Sequence, residues 1–197
     1  MEREIDELLE RLNRLEEEVE RKFDERRAEF KYEIRMKRAV FEKSVLARHR
    51  QIKIGLIRFI RTSPWMVLVT APVIYLLIVP IVILDISISF YQWVCFPIWG
   101  INRSQRSRFI ILDRHRLAYL NAIEKLNCLY CGYANGVIAY VRDVVARTEQ
   151  YWCPIKHAMR VKSPHGRYRN FLEYGDGEGY RRRLEDLRAA LKKDREV

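Results

Sequence analysis

Between residues 65 and 101 this chain of 197 residues carries a single charged side chain, Asp85, although 32% of the whole sequence is charged. A gap of that length is foreign to a soluble surface. Residues 65–84, WMVLVTAPVIYLLIVPIVIL, are 20 uncharged positions in a row, and at about 1.5 Å of helical rise per residue they would cross a hydrocarbon core of roughly 30 Å. No other segment is apolar enough to wrap them as a buried core helix. An apolar leader is missing too: the opening MEREIDELLE is acidic, so no cleaved secretory signal is expected. Further absences narrow the chemistry. There are no paired Glu-x-x-His motifs for a dinuclear carboxylate site, no glycine pattern of a nucleophile elbow and no glycine loop to cradle phosphate. Enzyme readings are left to the thiols alone.

The charge that is present is unevenly placed. Residues 1–30 hold 12 acids and 7 bases, 31–62 hold 2 and 10, 102–172 hold 4 and 13, and 173–197 hold 7 and 7, which with Asp85 gives the formal +11. Arg48, Arg50, Lys53, Arg58 and Arg61 precede the apolar block, and Arg103, Arg106, Arg108, Arg114 and Arg116 follow it. Short basic flanks prefer the cytoplasm. A hairpin or re-entrant loop turning near Asp85 keeps both flanks there, with residues 86–101 returning through the bilayer or lying in the interface; a single pass would put one flank outside. On the hairpin reading Asp85 is a turn residue at the far headgroups. The termini and the cysteine-bearing part then face the reducing cytoplasm, where thiols serve as ligands or packing residues rather than in disulfides.

Ile5, Leu8, Leu12, Leu15 and Val19 step by three and four among Glu and Arg, a heptad seam for a coiled coil. Beyond it Val19, Phe30 and Phe41, and Phe23, Ile34 and Val45, repeat every 11 residues, which predicts a change of partner or hand near Val19. The helix is expected to run on from Ile5 to about Ile60. Self-association through this arm is favoured over folding back on its own chain, and its basic second half, net +8 over residues 31–62, suits anionic lipid headgroups better than nucleic acid.

The chemical candidate is C-x2-C-x21-C-x3-H: Cys128, Cys131, Cys153 and His157. Three thiols and an imidazole suit a closed tetrahedral zinc site, with iron or an iron–sulfur cluster a weaker match. The same cysteines also fit plain packing. A shared ion requires a break between Cys131 and Cys153, because one straight helix would hold them about 30 Å apart. Gly132, Asn135 and Gly136 offer that break, and an antiparallel dimer offers another route. A helix is therefore predicted to end near Asn127, a second to cover residues 137–147, and a third to begin at Cys153 with Pro154 in its first turn. Residues 163–183 read as a polar loop, and Leu184, Leu187 and Leu191 mark a short amphipathic helix after it.

No strand-like alternation stands out, and the chain is read as all-α in four parts: a coiled-coil and basic juxtamembrane helix (1–62), a membrane segment (63–101), a helical Cys/His module (102–162), and a polar loop with a C-terminal helix (163–197). The expected function is an integral membrane scaffold or an accessory subunit of a membrane complex. Its partners would be membrane lipids, further copies of itself and other subunits. The alternative is a membrane metallo- or redox enzyme using the cysteine cluster.

Overall fold

The computed structural model describes residues 2–30, 32–35 and 38–193, with side chains from residue 10 onward except those of residues 12, 13, 16, 27 and 31–40. Ile5, Leu8, Leu12 and Ile34 of the predicted seam thus lie outside the described side chains. The chain is mostly helical. It divides into two compact units, Met1–Arg61 with His115–Lys125, and Thr62–Arg114 with Leu126–Val197.

In the first unit, helix α1 (Glu2–Glu29) is followed by an antiparallel hairpin of β1 (Tyr32–Arg35) and β2 (Arg38–Phe41), in which Tyr32 pairs with Phe41 and Arg35 with Arg38. Helix α2 (Lys43–Gln51) and the short α3 (Leu56–Thr62) complete the run. The expected continuous helix from Ile5 to Ile60 is therefore corrected: it stops at Glu29. From Phe30 to Lys37 apolar and charged residues alternate strictly, Phe-Lys-Tyr-Glu-Ile-Arg-Met-Lys, a period of two that a helix cannot sort onto one face and a strand can. The 11-residue repeats Val19, Phe30, Phe41 and Phe23, Ile34, Val45 therefore do not run along one continuous helix. Phe41 meets His49 edge-on at 5.3 Å between ring centres, and His49 meets Tyr119 at 5.0 Å, which ties residues 115–125 to the arm.

In the second unit, α4 (Trp65–Leu76) and α5 (Ile78–Trp99) follow one another through Leu77 alone, which keeps right-handed helical angles. Pro80 has no N–H for the Leu76 carbonyl, and the tightened turn at Leu77, whose N–H reaches Ile74 at 3.2 Å, falls there. Trp65–Trp99 is long and apolar enough to cross a membrane, and its most apolar window has no buried residues. The turn expected near Asp85 is not formed: Asp85 sits inside α5. The chain reverses instead at Gly100, whose φ of 67° is the left-handed conformation open to glycine, with the Ile101 N–H closing onto the Phe96 carbonyl at 2.9 Å.

Residues 101–114 run back along α5 with only one helical turn, α6 (Arg106–Phe109). Helix α7 (Ala122–Trp152) then lies parallel to α5, as the contacts Tyr75 with Asn127, Asp85 with Tyr133, Tyr91 with Thr148 and Trp99 with Tyr151 show in order. Helix α8 (Gly177–Lys193) sits at the Gly100 end of this pair, where its Leu191 joins Phe96, Ile101, Tyr140 and Val144 in the core.

Candidate functional site

Helix α7 decides the cysteine question within one chain. Its start is fixed by Asn121 and Glu124, a reciprocal cap in which the Glu124 N–H donates to Asn121 Oδ1 at 3.0 Å and the Asn121 N–H to Glu124 Oε2 at 2.8 Å. From there it continues through Cys128, Cys131, Gly132, Asn135 and Gly136 to Trp152 without a break. Asn135 does not turn the chain: its amide donates to the Cys131 carbonyl at 2.9 Å, one helical turn back. The two predicted interruptions are absent, and so is the helix predicted to start at Cys153, where the chain instead pairs Ile155 with Leu172 in an isolated bridge. Cys131 and Cys153 are consequently separated by 22 residues of nearly continuous helix, about 33 Å of rise, and both are exposed. His157 stacks on the Tyr168 ring at 6.2 Å. Among the described residues no group of three or more His, Cys, Asp or Glu is placed to hold a metal ion.

The glycines serve a different purpose. A Cβ at Gly136 would stand 2.8 Å from both the Ile110 Cα and the Phe109 carbonyl oxygen, and one at Gly132 would stand 3.3 Å from the Leu112 side chain. They let the returning segment press against α7, and neither has a positive φ.

What the fold does assemble is a polar stripe on the apolar helix. Asp85, Ser89 and Gln92, spaced by four and three, share one face of α5 and turn it toward the returning segment and α7. Arg106 grips Asp85 with two nitrogens, Nε to Oδ1 at 2.9 Å and Nη2 to Oδ2 at 2.6 Å, and the Tyr133 hydroxyl donates to Oδ2 at 2.8 Å. The Asp85 side chain is almost entirely covered while Arg106 keeps 47% of its side-chain surface open.

Two turns on, the buried Gln92 amide pairs with the Ser104 backbone as a neighbouring strand would, donating to its carbonyl at 3.2 Å and accepting from its N–H at 3.1 Å. Gln92 also donates to Tyr140, whose hydroxyl lies 3.3 Å from Ser89. The irregular stretch after Gly100 thereby gains partners that no secondary structure supplies. Chemically the stripe is saturated: the carboxylate already has a bidentate cation and a phenol, which suits clamping rather than proton abstraction. Its signal in the sequence was legible, since three polar residues at helical spacing interrupt an otherwise apolar run.

A second polar cluster closes the far end of α7. Arg147, its side chain nearly fully covered, donates from Nε to Asp143 at 2.8 Å and from Nη1 to the Asn102 carbonyl at 3.3 Å. His165 Nε2 lies 2.8 Å from Glu149. No protein-family model, curated protein or solved structure matches this chain.

Proposed function

We propose that this protein is a membrane-anchored scaffold or accessory subunit of a membrane complex, held in the bilayer by Trp65–Trp99 and self-associating through α1. The observation that carries the reading is the outward face of that helix. Trp65, Val69, Val73, Leu76, Ile83, Ile86, Phe90 and Ile98 all stand exposed, a continuous apolar surface of the kind that hydrocarbon covers at a gain of about 25 cal/mol per Å².

The make-up of the first unit favours one topology in this reading. Met1–Arg61 and His115–Lys125 belong together, joined by the His49–Tyr119 contact, so residues 62–114 leave that unit and come back to it. The apolar segment is then a re-entrant excursion whose turning point is Gly100 rather than Asp85; Arg114 and Arg116, at the end of the return, stay on the face of the preceding basic flank, the cytoplasmic one by its charge, while Arg103 and Arg106 lie along the return beside α5. The non-helical return at membrane depth is tolerable because it lies against α5 and α7, with the Ser104 backbone partnered by Gln92.

A structural metal enters this reading only between chains, with Cys128 and Cys131 from one copy and Cys153 and His157 from another; zinc suits that donor set best. The enzyme alternative loses ground because α7 keeps Cys128 and Cys131 far from Cys153. Membrane fractionation tests the proposal: the full chain should remain in the pellet through an alkaline carbonate wash, and release into the supernatant would overturn it.

A further inference from the structure

Helix α1 presents a face that no described residue covers. Leu15, Val19 and Phe23 leave 52%, 51% and 56% of their surfaces open, and with Glu18, Lys22 and Arg26 they line a shallow groove along the helix. Resting on the self-association proposed above, we infer that the occupant is α1 of a second copy and that the two helices lie antiparallel.

The charges on the seam give the direction. Counted in sevens from Ile5, one seam position holds Ile5, Leu12, Val19 and Arg26, and the other holds Leu8, Leu15 and Lys22. In a parallel, in-register pair each residue meets its own counterpart, so Lys22 faces Lys22 and Arg26 faces Arg26 inside the seam. The first ten residues, with five acids and one base, would also lie against the same acidic ten. Reversing one helix removes the first conflict and eases the second, since the acidic ten then lie against residues 17–26, with five acids and three bases. Leu12 then meets Leu15, Val19 meets Leu8, and Lys22 meets Ile5, whose neighbours Glu4 and Asp6 are acidic. On the flanks Arg11 comes opposite Glu18, and Glu4 comes opposite Glu25. The last contact is unfavourable but solvent-facing, where water and salt screen it; the cations of the parallel seam would be shielded from both.

The test uses the full chain in lipid vesicles, with Cys95, Cys128, Cys131 and Cys153 replaced by Ser, and two variants in that background, Ile5→Cys and Lys22→Cys. Each is oxidised alone and after being mixed in detergent before reconstitution. An antiparallel pair yields disulfide dimers in the mixture at least tenfold above either variant alone, because two Ile5 positions would stand about 25 Å apart. Dimers from Ile5→Cys alone overturn the direction and leave self-association standing. Dimers seen by native mass but linked in no sample overturn the seam. A chain that is monomeric by mass and unlinked throughout removes the self-association reading itself.

Discussion

Arg106 and Asp85 meet through a two-pronged ion pair, the shorter contact 2.6 Å, although 21 residues and the reversal at Gly100 separate them in the chain. The pair holds the returning segment against α5. An isolated carboxylate in so apolar a helix would be costly, and the guanidinium fork is well shaped to offset that cost.

Replacing Asp85 by Asn should lower unfolding stability in detergent by about 1–3 kcal/mol, less than for a fully buried pair because Arg106 reaches water. The double variant Asp85→Leu, Arg106→Leu should recover most of the loss, since a packed apolar pair can stand in for a structural ion pair. If the clamp is purely structural, the double variant also keeps its membrane association. Failure of the double variant to fold would show that the pair specifies the path of residues 101–114 as well as supporting it.

Gly136→Ala and Gly132→Ala should differ in size. At Gly136 the new methyl group meets backbone atoms at 2.8 Å, while at Gly132 it first meets the end of the Leu112 side chain at 3.3 Å. Overpacking of the first kind costs about 1–3 kcal/mol, and the gain in helix propensity of about 1 kcal/mol offsets only part of it. Thermal unfolding should rank wild type close to Gly132→Ala and clearly above Gly136→Ala. Equal losses would mean that the segment carrying Ile110 is not held as tightly as its contacts indicate.

The sequence pattern made the apolar helix plain because a missing charge is a local property, readable residue by residue. It left the turning point open, because that depends on where a left-handed residue can be accommodated: Asp85 looked like a turn in a run of apolar neighbours, yet its carboxylate is answered by Arg106 from beyond Gly100. The same limit governs α7. Gly132 and Gly136 are breakers when judged alone and contact points when Phe109 and Ile110 press on them, and nothing in the spacing of C-x2-C distinguishes the two. The hairpin after α1 is a different case. The alternation from Phe30 to Lys37 was present in the sequence, and the 11-residue spacing of the same aromatics masked it.

Metal removal probes the two-chain route directly. With α7 unbroken, a single copy has no shared cage to lose, so a chelator should leave the unfolding temperature of monomeric protein unchanged, as should Cys131→Ser and Cys153→Ser. A fall on chelation seen only in the oligomer, and abolished by either substitution, would establish a site built between copies.

Sidedness is the sharpest consequence of the His49–Tyr119 contact. The two rings are 5.0 Å apart, and on the re-entrant reading proposed above the segment ending at Arg61 and the segment beginning at His115 stay on one side of the bilayer. A straight crossing would separate them; an excursion that turns at Gly100 does not. Arg50→Cys and Arg116→Cys, each placed in a background whose native cysteines are Ser, report on the two flanks, and Arg50 and Arg116 belong to the same unit. In intact cells a membrane-impermeant maleimide should leave both unlabelled, and in inverted vesicles it should label both. Opposite labelling of the two positions would break the unit apart and restore a single pass, with one basic flank outside against the pull of its own charge.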